Sequence, residues 1–274
     1  MERGKQFMTD EVWQKILHGY IVPYKDLNRN AGHNPTFLGH NMTEPLIDRK
    51  LQARLKDVSN ACPEMNIDVY SNGVLLPSWA ARGQDFFAFL GSLPNRCRYL
   101  MSFHPYNDDG SENNYTETIL YMREVLRNPP PNVEFITVSH KSTHVSDAIQ
   151  QWWKDQWAGL PITVHCNASL NAWTGRITEP GTVEFHGCPY GDFGHLFIGV
   201  TGNIISCCMD LEEEIVHGNV MVDEPAAMIA KLDAFYAEQR RIQQERTGLI
   251  HGVCANCFGL PKPAELVQLG GVVA

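Results

Sequence analysis

Residues 36–73 read "TFLGHNMTEPLIDRKLQARLKDVSNACPEMNIDVYSNG", and this run decides the fold class. Its opening, "TFLGH" (36–40), is a short strand. Across 45–61, Leu46, Ile47, Leu51, Leu55 and Val58 recur at the spacing of one helix face. "NIDVYSN" (66–72) is a second strand, halted at Gly73. Two strands joined through a helix predict a βαβ unit, because parallel strands need a crossover of about a dozen residues. The same alternation continues outward. Downstream come a strand at 98–104, a helix at 116–128 stopped by three prolines, a strand at 133–140, a helix at 144–159 and a strand at 161–166. Upstream, "TDEVWQKILHGY" (9–20) is a helix capped by Thr9, with Asp10 and Glu11 at its positive end. The prediction is an α/β protein with a mainly parallel sheet, its functional groups on loops after the strands' C-terminal ends.

The pattern changes near residue 167. A strand-turn-strand is expected where "HLFIGV" and "NIISCC" pair around Thr201-Gly202. A long helix follows at 225–248, with Pro225 at its start and Gly248 at its end, and then "HGVCANCFG". Two domains are expected, 1–178 and 179–274, with the boundary in the loop-rich stretch around 175–185.

The chain has 274 residues, 43% of them hydrophobic, and a formal net charge of −9. That charge disfavours a general affinity for nucleic acid or for an anionic membrane. No apolar run approaches the roughly 20 residues that span a bilayer, and "MERGKQFMTDEVWQKIL" has no signal-peptide core. The expected location is the cytoplasm. In that compartment the eight cysteines are read as metal ligands or core residues rather than disulfides.

Cys188, Cys207, Cys208, Cys254 and Cys257 form the informative group. Cys254-Ala-Asn-Cys257 is a C-x2-C knuckle. The predicted hairpin brings Cys188 and Cys207 together at its open end. Adjacent residues on a strand point to opposite faces, so only one of Cys207 and Cys208 is expected to face the site, and Cys207 is chosen. The four thiolates of Cys188, Cys207, Cys254 and Cys257 suit either tetrahedral zinc or an iron–sulfur cluster. Cys62, Cys97 and Cys166 are isolated and read as ordinary packing residues. His186, His195, His217 and His251 flank the group as candidate hydrogen-bond donors to it. "HKSTH" (140–144) is read as a strand–helix loop with Ser142 or Thr143 capping, "YNDDGSENN" (106–114) as an exposed loop, and the tryptophans of "WWKDQW" (152–157) as packing residues.

These residues resemble a known family. Cys188, thirteen residues, Gly202, four residues, Cys207 and a later C-x2-C resemble the twitch/SPASM extension of radical S-adenosylmethionine enzymes. The resemblance implies a partial (β/α) barrel-like parallel sheet with a C-terminal cluster-binding extension. It implies one auxiliary [4Fe-4S] cluster on Cys188, Cys207, Cys254 and Cys257, the one-cluster twitch form. "FLGHNMTEPLIDRKLQARL" resembles the family's second strand and the loop that contacts the amine of S-adenosylmethionine. Only Glu44, Pro45 and Leu46 keep that pattern, so Glu44 is carried over as a vestigial contact. "IDVYSNGVLL" resembles the next strand, and "CMDLEEEIVHGNV" the acidic stretch before a Gly-Asn turn.

The family's C-x3-C-x2-C motif is absent from these 274 residues. The expectation is therefore a truncated relative that keeps the auxiliary cluster for electron transfer or structure and does not itself cleave S-adenosylmethionine. Two alternatives stand beside it: a subunit of a split radical enzyme, and a four-cysteine zinc module. The partners expected are a redox protein or a second chain covering a missing first strand. Otherwise residues 1–8, "AELVQLGGVVA" (264–274) or another copy would cover that sheet edge.

Overall fold

Thr9 opens the first helix as expected: its hydroxyl accepts from the Val12 N–H at 3.2 Å, and α1 runs Asp10–Ile16. The chain is known from a computed structural model, which describes residues 7–25, 35–39, 44–105, 112–141, 145–169, 195–208, 210, 212–245, 248–251, 254 and 266–269. The helix widens into a π turn over Leu17–Ile21 and ends as α2, Val22–Tyr24. Pro23 supplies a reason. Its ring cannot donate to the carbonyl of Gly19 and would clash with it, and a wider turn relieves both.

Contacts divide the chain into two units. One is Asn34–Leu170; the other joins Met1–His33 with Asn171–Ala274. The sequence reading set residues 1–178 together. In the structure the first helix belongs with the C-terminal segment, because its apolar side packs there: Val12 Cγ1 lies 3.4 Å from where Gly202 would carry a Cβ.

Unit Asn34–Leu170 is a five-stranded parallel sheet in chain order: β1 (Thr36–Leu38), β2 (Asn66–Ser71), β3 (Cys97–Phe103), β4 (Val133–Lys141) and β5 (Thr163–Ser169). Between them lie α3 (Leu51–Ala61), then α4 (Leu76–Ala81) and α5 (Phe86–Gly91), then α6 (Thr116–Arg127) and α7 (Asp147–Gln156). The short helices α4 and α5 were not anticipated, although Asp85 signals the second: its carboxylate accepts from the Phe87 and Ala88 N–H groups at 3.1 and 3.0 Å. Ser146, rather than Ser142 or Thr143, caps α7, accepting from the Ile149 N–H at 3.3 Å.

One sheet face and all five helices share a single core. Ile67, Val69, Cys97, Tyr99, Met101, Phe103, Val133 and Phe135 pack with Leu55, Trp79, Phe87, Met122 and Trp153. Trp153 stacks on Phe103 at 4.0 Å and donates its indole N–H to Thr137 Oγ1 at 3.0 Å, so the tryptophan run does serve packing. Helices confined to one face of a sheet in sequential order make a partial βα-barrel-like half, as right-handed crossovers require. The opposite face carries aligned rows: Leu38, Asp68, Arg98 and Glu134, then Tyr70, Leu100, Ile136 and Thr163. Among the described residues β1 pairs only with β2, leaving Thr36 and Leu38 exposed. Leu266–Leu269, one of the segments expected to cover that edge, pairs instead with Gly248–His251.

The other unit holds a three-stranded antiparallel sheet, β6 (Phe197–Ile198), β7 (Asn203–Ile205) and β8 (Val216–Asn219). It also holds α8 (Pro225–Glu245) and the pair β9 (Gly248–His251) and β10 (Leu266–Leu269). Among the described residues no helix is long and apolar enough to cross a membrane.

Candidate functional site

The predicted hairpin forms. Phe197 pairs with Ile205 and Ile198 with Ile204. The turn closes through Gly199 N–H to Asn203 O at 2.8 Å and Gly202 N–H to Gly199 O at 3.0 Å. Gly202 sits at φ +87°, and a Cβ there would lie 2.7 Å from Val220 Cγ2. Asn219 explains the Gly-Asn pair that follows: its amide donates to Thr201 O at 3.1 Å and to Asn203 Oδ1 at 2.8 Å, tying β8 to the turn. Gly202→Ala is expected to lower stability by about 1–3 kcal/mol through backbone strain and crowding, read as a shift in denaturant midpoint. An unchanged midpoint would remove the argument that this turn requires glycine.

The acidic stretch has a buried anchor. Asp210, 1% exposed, accepts from the Glu214 and Ile215 N–H groups, each at 2.8 Å. Its own N–H donates to Cys207 O at 3.2 Å. β7 ends at Ile205, so Cys207 and Cys208 both lie beyond the strand and both are half-buried. The alternation rule used to choose between them therefore has no strand to act on. Ser206, buried just before them, is held twice. Its carbonyl accepts from the Tyr236 hydroxyl at 2.5 Å, and its Oγ lies 2.8 Å from His217 Nε2. Burial, and Lys231 nearby, hold the His217 imidazole below its ordinary pKa.

Cys254 is half-buried in the same unit. Cys188, Cys257 and His186 lie outside the described residues, as do most of "YNDDGSENN" and Ser142 to His144. Among the described residues no three His, Cys, Asp or Glu side chains group as a metal site. Cys62 and Cys97 are buried core residues, and burial pushes the Cys97 thiol up to about 12. Cys166 is half-buried on β5.

On the sheet unit, Glu44 occupies the loop after β1. Its Oε1 accepts from the Leu46 N–H at 3.0 Å and from the Ser71 hydroxyl at 2.7 Å, and its Oε2 from the Asn72 N–H at 2.8 Å. It thus caps the short 3-10 turn Pro45–Ile47 and ties it to the end of β2. Desolvation nevertheless raises its pKa from the ordinary 4.5, against those three bonds. A carboxylate raised on folding stabilises most below its unfolded pKa, and that contribution is lost as pH rises through the folded value. Above the ordinary 4.5, Glu44→Gln is therefore expected to flatten the decline of stability with rising pH. Denaturant midpoints across that window test it, and an equal or steeper decline in the variant would reverse the assignment.

No family model matches the chain, and no curated protein matches it. Among solved structures it is similar to BtrN in complex with AdoMet and 2-DOIA, at 13% identity and a TM-score of 0.56, covering 89% of this chain and 79% of that one. It is also similar to selenomethionine BtrN in an open conformation, at 12% identity and a TM-score of 0.47, covering 85% and 73%. The first likeness is one of fold, and identity this low speaks to fold alone.

Proposed function

We propose that this chain is an iron–sulfur protein derived from radical S-adenosylmethionine enzymes, holding one [4Fe-4S] cluster on Cys188, Cys207, Cys254 and Cys257. The supporting observation is the hairpin. Its two strands pair as a hairpin across the Thr201-Gly202 turn, and Cys207 follows on backbone bonded through Ser206 O and Cys207 O. Cys207 and Cys254 are half-buried thiols in one unit, which is donor chemistry an iron–sulfur cluster accepts. When bound, such a cluster supplies one-electron transfer at a potential set by the surrounding hydrogen bonds.

The sheet unit takes a supporting role in this reading. Glu44 commits three of roughly four acceptor positions to its own chain, so it serves the loop rather than an amine ligand. With no C-x3-C-x2-C run in these residues, the chain is assigned no S-adenosylmethionine cleavage of its own. A redox partner is the expected companion.

Anaerobic purification with a visible spectrum and metal analysis tests this. About four irons and four sulfides per chain support it. Stoichiometric zinc without sulfide overturns it and leaves a zinc-stapled unit. A second reading, a subunit of a split enzyme, is favoured by β1, which among the described residues has β2 as its one neighbouring strand. It predicts S-adenosylmethionine binding only in the presence of a second polypeptide carrying the three-cysteine motif. Binding by the chain alone, or in neither case, excludes it.

A further inference from the structure

We propose that Tyr236, aided by His217, is a positioning residue for the Cys207 thiolate; this rests on the cluster reading above. Tyr236 is 2% exposed on α8, yet its hydroxyl leaves the apolar core to reach backbone. It donates to Ser206 O at 2.5 Å and lies 3.4 Å from His195 O. Those carbonyls flank the two strands of the hairpin at its open end, where Cys207 departs. One helix residue therefore clasps both strand ends immediately beside the candidate ligand.

Three further contacts complete the frame. The Ser206 hydroxyl is fixed on His217 Nε2 at 2.8 Å, and the His217 ring packs edge-on to Phe235 with centroids 5.0 Å apart. On the other side, the Asp210 N–H holds Cys207 O at 3.2 Å. Successive backbone groups on either side of the thiol are thus bonded to separate elements, with no contribution from a bound group. Such support around a metal ligand fixes its geometry in advance, and losing it typically costs 10–100-fold in metal affinity.

Tyr236→Phe keeps the ring and removes the hydroxyl. The reconstituted variant is expected to bind the cluster at full stoichiometry and to surrender iron to a chelator about tenfold faster than the unmodified chain. Ser206→Ala, which loses only the His217 bond, should fall between them, and it carries the test if Tyr236→Phe does not fold. Leu232→Val, a buried change on the same helix, controls for general loosening and should release iron at the unmodified rate. Equal acceleration in Leu232→Val and Tyr236→Phe would reduce Tyr236 to ordinary packing and overturn the proposal. Iron and sulfide in the unmodified chain, with unchanged release from both Tyr236→Phe and Ser206→Ala, would overturn the positioning role alone. No iron or sulfide in the unmodified chain would overturn the cluster reading first.

Discussion

Cys207→Ala is expected to bring iron and sulfide in the anaerobically purified chain down to background, whereas Cys208→Ala leaves both near the unmodified level. The expectation follows from how the two neighbours are built. Cys207 is enclosed between a doubly bonded Ser206 and its own carbonyl's bond to Asp210. Cys208 follows in the turn after it. A thiolate whose backbone is already fixed loses little ordering entropy on ligation. Far-UV circular dichroism of both variants separates ligand loss from unfolding. Loss of iron in Cys208→Ala with retention in Cys207→Ala would transfer the ligand to Cys208. Retention in both would remove the hairpin from the cluster altogether.

The half-barrel was legible because its signal is periodic. Leu51, Leu55 and Val58 mark the inner face of α3, and Cys97, Tyr99, Met101 and Phe103 mark alternate positions on β3. The short helices α4 and α5 escaped because six residues give too few turns for a period to register. The hairpin was legible through Gly202, whose positive φ only glycine adopts without strain. The grouping of the first helix with the C-terminal segment was not legible for a different reason. An amphipathic helix announces that one face is buried but not which surface buries it, and Val12 meets the distant turn at Gly202. Glu44 shows a related limit. Its motif was readable, but a motif does not reveal that Leu46, Ser71 and Asn72 already occupy the carboxylate. The choice of Cys207 over Cys208 relied on strand alternation that stops at Ile205, and its present support is the hydrogen bonding around Ser206.

Arg98→Leu is expected to destabilise the sheet unit by about 3 kcal/mol at neutral pH, the lower end of the cost of orphaning a buried charge. Asp68 lies on the sheet face away from the helices with its side chain 6% exposed, paired to an Arg98 that is 39% exposed. Arg98 donates to Asp68 through Nε at 3.1 Å and through Nη2, and Nη2 also reaches the Tyr70 hydroxyl at 3.3 Å. Asp68 in turn holds the Arg98 guanidinium above its ordinary pKa. Solvent around Arg98 screens part of the pair, which is why the low end of the range applies. The neighbouring Arg96–Glu134 pair, 69% and 43% exposed, gives the contrast: Glu134→Gln should cost less than about 1 kcal/mol. Asp68→Asn combined with Arg98→Leu should recover much of the loss, because the penalty lies in the unpaired charge rather than in the missing contact. The same logic fixes the pH dependence. The cost of Arg98→Leu belongs to ionised Asp68, so it should shrink as acid protonates that carboxylate. A penalty that persists undiminished in acid, or survives in the double variant, would locate the role of Arg98 in packing of its aliphatic stem over the sheet.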